Sequence, residues 1–194
     1  MTASPYTCAE LIACLERLLA CSDSLEWLRT LPPESSAYSA WRTCERGDWL
    51  AWLITDNVVV ESVGDRTLRL IACDFVETRL PVWEAWAKEH ALRDLAAPRR
   101  AVDVARAFAD GKASADELSD ADLAAARAAR RADCHAEGDG DIADLAYSAS
   151  DAAAPNAAYA ARYTPEPTAE HARIVRRHVQ WATVRDALLA AVAS

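Results

Sequence analysis

The sequence predicts an all-α fold, a single compact domain of stacked short helices that turns Ala-rich in its C-terminal half. Three observations lead there. Only 5 glycines and 2 phenylalanines stand against abundant Ala, Leu, Arg, Asp and Glu, which leaves few β-branched runs and few hairpin turns. Apolar residues recur at helical spacing, and capping signals punctuate the chain from end to end. With 194 residues, 52% of them hydrophobic, there is enough apolar material for one core and no second domain is required.

In chain order, Thr7-x-x-Glu10 is a capping box ahead of the first helix, whose Cys14, Leu18, Cys21 and Leu25 recur as one stripe. Asp23-x-x-Glu26 signals a short second start through Trp27, Leu28 and Leu31, stopped by Pro32-Pro33, after which Ser35 or Ser36 caps the helix carrying Trp41. Val58-Val59-Val60 has no second β-rich run to pair with and reads as a buried loop or helix end. Asp65 caps a helix with Leu68, Ala72, Phe75, Val76 and Leu80 on its apolar face, and Pro81 opens another bearing Trp83 and Trp86. Pro98 opens the next, through Val102, Val104, Ala105 and Phe108 to Gly111. Ser114-x-x-Glu117 is a second capping box before a longer Ala-rich helix to about Glu137. Residues 121–161 hold few large hydrophobes, so helices there must approach closely through small side chains. Pro155, Pro165 and Pro167 interrupt the chain, and Thr168 caps a final amphipathic helix through Ile174, Val175, Val179, Trp181, Val184 and Leu188. No fixed-period repeat is present.

The window 40–53 is the most telling. It reads as two helices meeting at a tight corner, with Gly47 in the left-handed position after one helix and Asp48 as N-cap of the next. Trp49 and Trp52 share a face of the second helix and Trp41 a face of the first, so the corner is expected to fold these indoles into one cluster. Arg46-Gly47-Asp48 also spells the adhesion tripeptide, but the corner and the cap account for its glycine and aspartate.

The formal net charge is -9, and most of the excess lies in residues 110–161, which hold eleven acids against four bases. Such a field disfavours direct binding to nucleic acid and favours a basic protein surface. Leu11, Ile12, Leu15, Leu18 and Leu19 are interrupted by Glu10, Glu16 and Arg17, so neither a signal-peptide core nor a membrane span is read there, and a cytoplasmic setting is expected. Cys8, Cys14, Cys21, Cys44, Cys73 and Cys134 sit within helical patterns and are read as reduced thiols.

Sites of chemistry are not signalled. Cys134-His135 with His90, His171 and His178 lacks metal-ligand spacing, and Glu137-x-Asp139-x-Asp141 opens like a calcium loop but places Ile142 where Gly belongs and Ser148 where Glu belongs. There is no nucleophile elbow and no phosphate-cradling Gly-rich loop. No catalytic residue, metal or cofactor is expected.

Several stretches resemble the fifth family of immunity proteins from bacterial polymorphic toxin systems, relatives of which also occur in phage genomes. They are Cys21-x-x-x-Leu25-Glu26-Trp27-Leu28, the 40–53 corner, residues 69–81 (Arg-Leu-Ile-Ala-Cys ending in Leu-Pro), residues 99–118, the Ala-rich middle, and Ile174-Val175-Arg176-Arg177-His178. Val58-Val59-Val60 and Pro155 depart from that pattern. The resemblance implies a helical protein that neutralises a toxin by binding it, and it carries no set of functional residues. The expectation is therefore a non-catalytic inhibitor with a cognate toxin as partner. Its docking surface is read as Asp116, Glu117, Asp120, Asp122, Asp133, Glu137, Asp139, Asp141, Asp144 and Asp151. A phage-encoded protein acting on a host defence protein, or an unrecognised helical hydrolase, are the alternatives, and the sequence leaves the oligomeric state open.

Overall fold

The computed structural model describes residues 6–135, 140–154, 156–163 and 168–193. Among them are thirteen helices and no strand; the one β-type pairing is an isolated antiparallel bridge between Thr7 and Ser36. The all-α architecture of stacked short helices is what the structure has. Its contacts group into two compact units, one made of Met1–Val63 with Pro167–Ser194, the other of Gly64–Glu166.

The first unit begins with α1 (Cys8–Arg17), α2 (Ser22–Arg29) and α3 (Ala37–Thr43). The Thr7–Glu10 capping box forms as its spacing demands, Thr7 accepting from the Glu10 amide while the Glu10 carboxylate accepts from the Thr7 amide. Ser36 caps α3 by accepting from the Ser39 amide at 3.2 Å. The two capping segments then pair, Cys8 donating to the Ser35 carbonyl (2.8 Å) and Ala37 to that of Tyr6 (2.7 Å). Asp23 is not the cap of α2. Cys21 holds that position without a side-chain bond, and Asp23 lies in the first turn, where its charge complements the helix dipole.

Helices α4 (Gly47–Thr55) and α5 (Val60–Val63) follow, with Val59 fully buried in the turn between them, as the apolar triplet requires. The unit closes with α12 (Ala169–His178) and α13 (Trp181–Ala193). Thr168 caps α12 through the His171 amide (3.2 Å). The single closing helix read from the sequence is in fact these two. Val179 turns extended (φ -121, ψ 123), a conformation its β-branched side chain favours, and the Thr183 amide restarts the next helix on the Gln180 carbonyl. Because Val179 and Trp181 are buried on either side of the break, the apolar periodicity runs through it unmarked. The α12 side chain of Arg176 reaches the C-terminal end of α3, donating to the carbonyls of Trp41 (3.1 Å) and Cys44 (2.6 Å). Helix ends leave such carbonyls unpaired and attract a cation.

The second unit contains α6 (Asp65–Glu77), α7 (Leu80–Glu89), α8 (Ala97–Ala109), α9 (Ala115–His135), α10 (Gly140–Ala153) and α11 (Ala157–Tyr163). Asp65 does not cap α6; Gly64 does, with φ +78 and ψ 150, a conformation that an L side chain adopts only under strain. The Ser114–Glu117 box forms and starts α9. Helices α9 and α10 are the most intimately packed pair, with Ala128, Ala129 and Ala132 meeting Ala143 and Ala146, and Trp83 of α7 sealing the cluster. Small side chains on both faces bring the backbones close, which is how a stretch short of large hydrophobes still builds a core. Pro155, Pro165 and Pro167 lie outside the described residues. No helix among the described residues is long and apolar enough to cross a membrane.

Candidate functional site

The acidic stretch does not form one face. Helices α9 and α10 run antiparallel, as the pairs Asp122–Ser150 and Asp133–Tyr147 show by their opposed numbering, the tyrosine hydroxyl donating to Asp133 at 3.1 Å. The N-terminal acids of α9 therefore lie at the opposite end of the pair from those of α10. Asp110 is held by Arg66 (2.8 Å) and Lys112 (3.3 Å), and the Arg66 hydrogen bond is the chief reason its carboxyl titrates below the usual range. Glu117 is occupied by the capping box, where the Ser114 amide lowers its pKa. Asp122 accepts from the buried Ser150 hydroxyl. Glu137 and Asp139 lie outside the described residues. Of the five carboxylates that remain, Asp116, Asp120, Asp141 and Asp144 are exposed and have no hydrogen bond or ion pair among the described residues.

Asp151 is half-buried, and burial first, with Asp122 second, pushes its pKa up. The folded chain thus holds that proton more tightly than the unfolded chain does. By linkage, the resulting penalty is absent below the ordinary aspartate pKa of about 3.9 and grows as pH rises through the higher native value. Asp151→Asn is expected to raise the thermal midpoint at pH 7 and to give no gain at pH 3; equal shifts at both would mean that the carboxylate charge is not what costs stability.

The corner between α3 and α4 departs from its reading in three ways. Gly47 is not left-handed: it is buried and is the first residue of α4, and among the described glycines only Gly64 and Gly111 have positive φ. Asp48 is not the N-cap, since Arg46 holds that position and no side chain caps the turn. The reversal is made instead by extended residues, Cys44 (φ -62, ψ 119) and Arg46 (φ -93, ψ 101), which need no glycine. Asp48 is drawn away from the cap by a stronger partner, the two-pronged Arg46 guanidinium at 2.9 and 2.7 Å. Nor do the indoles form one cluster. Trp41 packs against Trp181 (5.9 Å), which also meets Tyr6, whereas Trp49 packs against Trp27 (5.9 Å); Trp52 is part-buried on α4.

Between these groups the first unit opens a cleft of about 370 Å³, lined by Trp27, Thr43, Cys44, Glu45, Arg46 and Trp49 and by the first residue of α12, Ala169. The Arg46 guanidinium lies over the Trp49 ring at 4.3 Å while bonded to Asp48. Sequence reasoning missed the cleft because Trp27, Glu45 and Ala169 come from three distant segments.

For covalent chemistry the structure offers little. All six cysteines are free thiols; burial pushes Cys73 up to about 12 and raises Cys8 and Cys44 as well, which disfavours thiolate formation. Among the described residues no group of three or more His, Cys, Asp or Glu side chains is placed to hold a metal ion. Compared with models of known protein families, with curated proteins and with solved structures, the chain matches none of them.

Proposed function

We propose that this protein is a cytoplasmic inhibitor that neutralises a basic toxin by direct contact and performs no catalysis. The observation that carries this reading is the set of exposed, unpaired carboxylates of Asp116, Asp120, Asp141 and Asp144 on the α9–α10 pair. None of these four carboxylates closes a side-chain contact within the fold, whereas together, under a net charge of -9, they draw a positively charged partner toward the two ends of the α9–α10 pair. The resemblance to toxin-immunity proteins supplies the setting and names the partner as a cognate toxin.

A growth assay identifies that toxin: each neighbouring gene product is expressed with and without the chain, and rescue by the chain marks the pair. Association followed by stopped flow is then expected to slow as salt rises. Replacing Asp116, Asp120, Asp141 and Asp144 together by Asn should lower the on-rate about tenfold while leaving the off-rate nearly unchanged, because exposed charges steer encounter more than they hold the complex. An on-rate indifferent to both salt and the quadruple variant would remove the carboxylates from the docking surface.

A further inference from the structure

The α2–α4 cleft has an imbalance of hydrogen-bonding capacity. Three guanidiniums on or beside its lining segments already have acceptors: Arg46 has the Asp48 carboxylate, Arg176 the Trp41 and Cys44 carbonyls, and Arg173 the Ala169 carbonyl at 3.3 Å. Glu45, which lines the cleft, has no hydrogen-bond donor among the described residues. Its carboxylate is exposed, with no hydrogen bond or ion pair among the described residues. Asp23, on α2, adds a second negative charge close enough to act on Arg46. Glu45 lies within the field of the Arg176 guanidinium, whose hydrogen bonds go to backbone carbonyls, and makes no hydrogen bond itself, so the cleft keeps one carboxylate acceptor unfilled.

Its walls select the shape of what enters. Trp27 and Trp49 are both part-exposed and meet at 5.9 Å with their planes inclined by 50°, forming an aromatic corner. One face of that corner already receives a guanidinium, that of Arg46 at 4.3 Å. Indole faces attract cations, and a planar guanidinium both stacks on them and forks onto a carboxylate, which an ammonium does less well.

We propose that this cleft binds an arginine side chain of a basic protein partner, with Trp27 as the stacking face and Glu45 as the carboxylate acceptor. This deepens the reading of the chain as a binding protein by adding a specific anchor to the steering charges of α9 and α10. The two are separable, since the anchor can be tested without the toxin.

The probe is Nα-acetyl-arginine methylamide, titrated into the full chain while the indole N–H resonances of Trp27 and Trp49 are followed by NMR. The expected result is a saturable shift of both resonances, with the uncharged citrulline analogue binding at least about threefold more weakly. Glu45→Gln should weaken the arginine probe by a similar factor; the residue is exposed and lies between helices, so the variant is expected to fold, and its unchanged melting curve confirms this. The variant with Asp116, Asp120, Asp141 and Asp144 replaced by Asn should bind the probe as the parent does. No saturable shift, equal binding of citrulline, or indifference to Glu45→Gln would overturn the proposal, while leaving the salt-dependent association of the α9–α10 carboxylates to stand or fall on its own test.

Discussion

Trp83→Ala should destabilise the protein by about 3–5 kcal/mol. The indole is fully buried at the point where α7 meets the alanine faces of α9 and α10, and its neighbours there are mostly Ala, which cannot swing in to fill the space it leaves. The indole N–H also donates to the Leu95 carbonyl at 2.9 Å, fixing the loop ahead of α8. Trp83→Phe keeps a ring in the cluster but removes that bond, so its cost should fall to about 1–2 kcal/mol. Urea denaturation of both variants measures the difference. Comparable losses would put the weight on the hydrogen bond rather than on the packing, and parent-like melting of Trp83→Ala would contradict the role assigned to the cluster.

The second large effect is expected at Arg69. This guanidinium is only 3% exposed, donates to the carbonyls of Ala152 (3.0 Å) and Ala154 (2.8 Å) at the end of α10, and lies 5.2 Å from the Phe108 ring centroid. Burial costs such a charge solvation and lowers its pKa, so the arginine is kept by what it pairs with. Arg69→Met preserves the bulk but leaves two helix-end carbonyls without their donor, an expected loss of about 2–4 kcal/mol. Arg69→Lys, whose compact ammonium lacks the planar fork, should fall between Met and the parent. The order Arg, Lys, Met in denaturation midpoints is the signature of charge-assisted capping; Lys no better than Met would show that the fork, and not the charge, is what matters.

How legible these features were depends on how far apart in sequence the interacting groups lie. The boxes at Thr7–Glu10 and Ser114–Glu117 and the caps at Ser36 and Thr168 are closed by groups three residues apart, so side-chain chemistry at a fixed spacing specifies them and the structure has them where expected. Arg69 and Arg176 perform the matching task at helix C-termini, yet their acceptors stand 83 and more than 130 residues away, and no local pattern distinguishes them from surface arginines. The corner shows the converse error. Gly47 and Asp48 satisfied a local rule, but the neighbouring Arg46 competed for the aspartate and the extended linker made the left-handed turn unnecessary. The acidic excess was a matter of counting, whereas its division into Asp110 on Arg66, Asp122 on Ser150 and the free Asp116, Asp120, Asp141 and Asp144 required the packed helices.

The first unit is assembled from both ends of the described chain, and this sets an order of events during synthesis. Residues 64–166 leave the ribosome as one continuous stretch with all the helices of their unit, before α12 emerges. At that moment Trp41 and Cys44 have no Arg176 to donate to their carbonyls, and the Tyr6 and Trp41 rings have no Trp181 between them. Loop closure over such a separation adds only logarithmically to the entropic cost, so the delay is one of timing rather than of free energy. Until α12 and α13 have emerged from the ribosome, the N-terminal helices expose the apolar surface that these two will cover, and a nascent chain is open to proteases and chaperones there first.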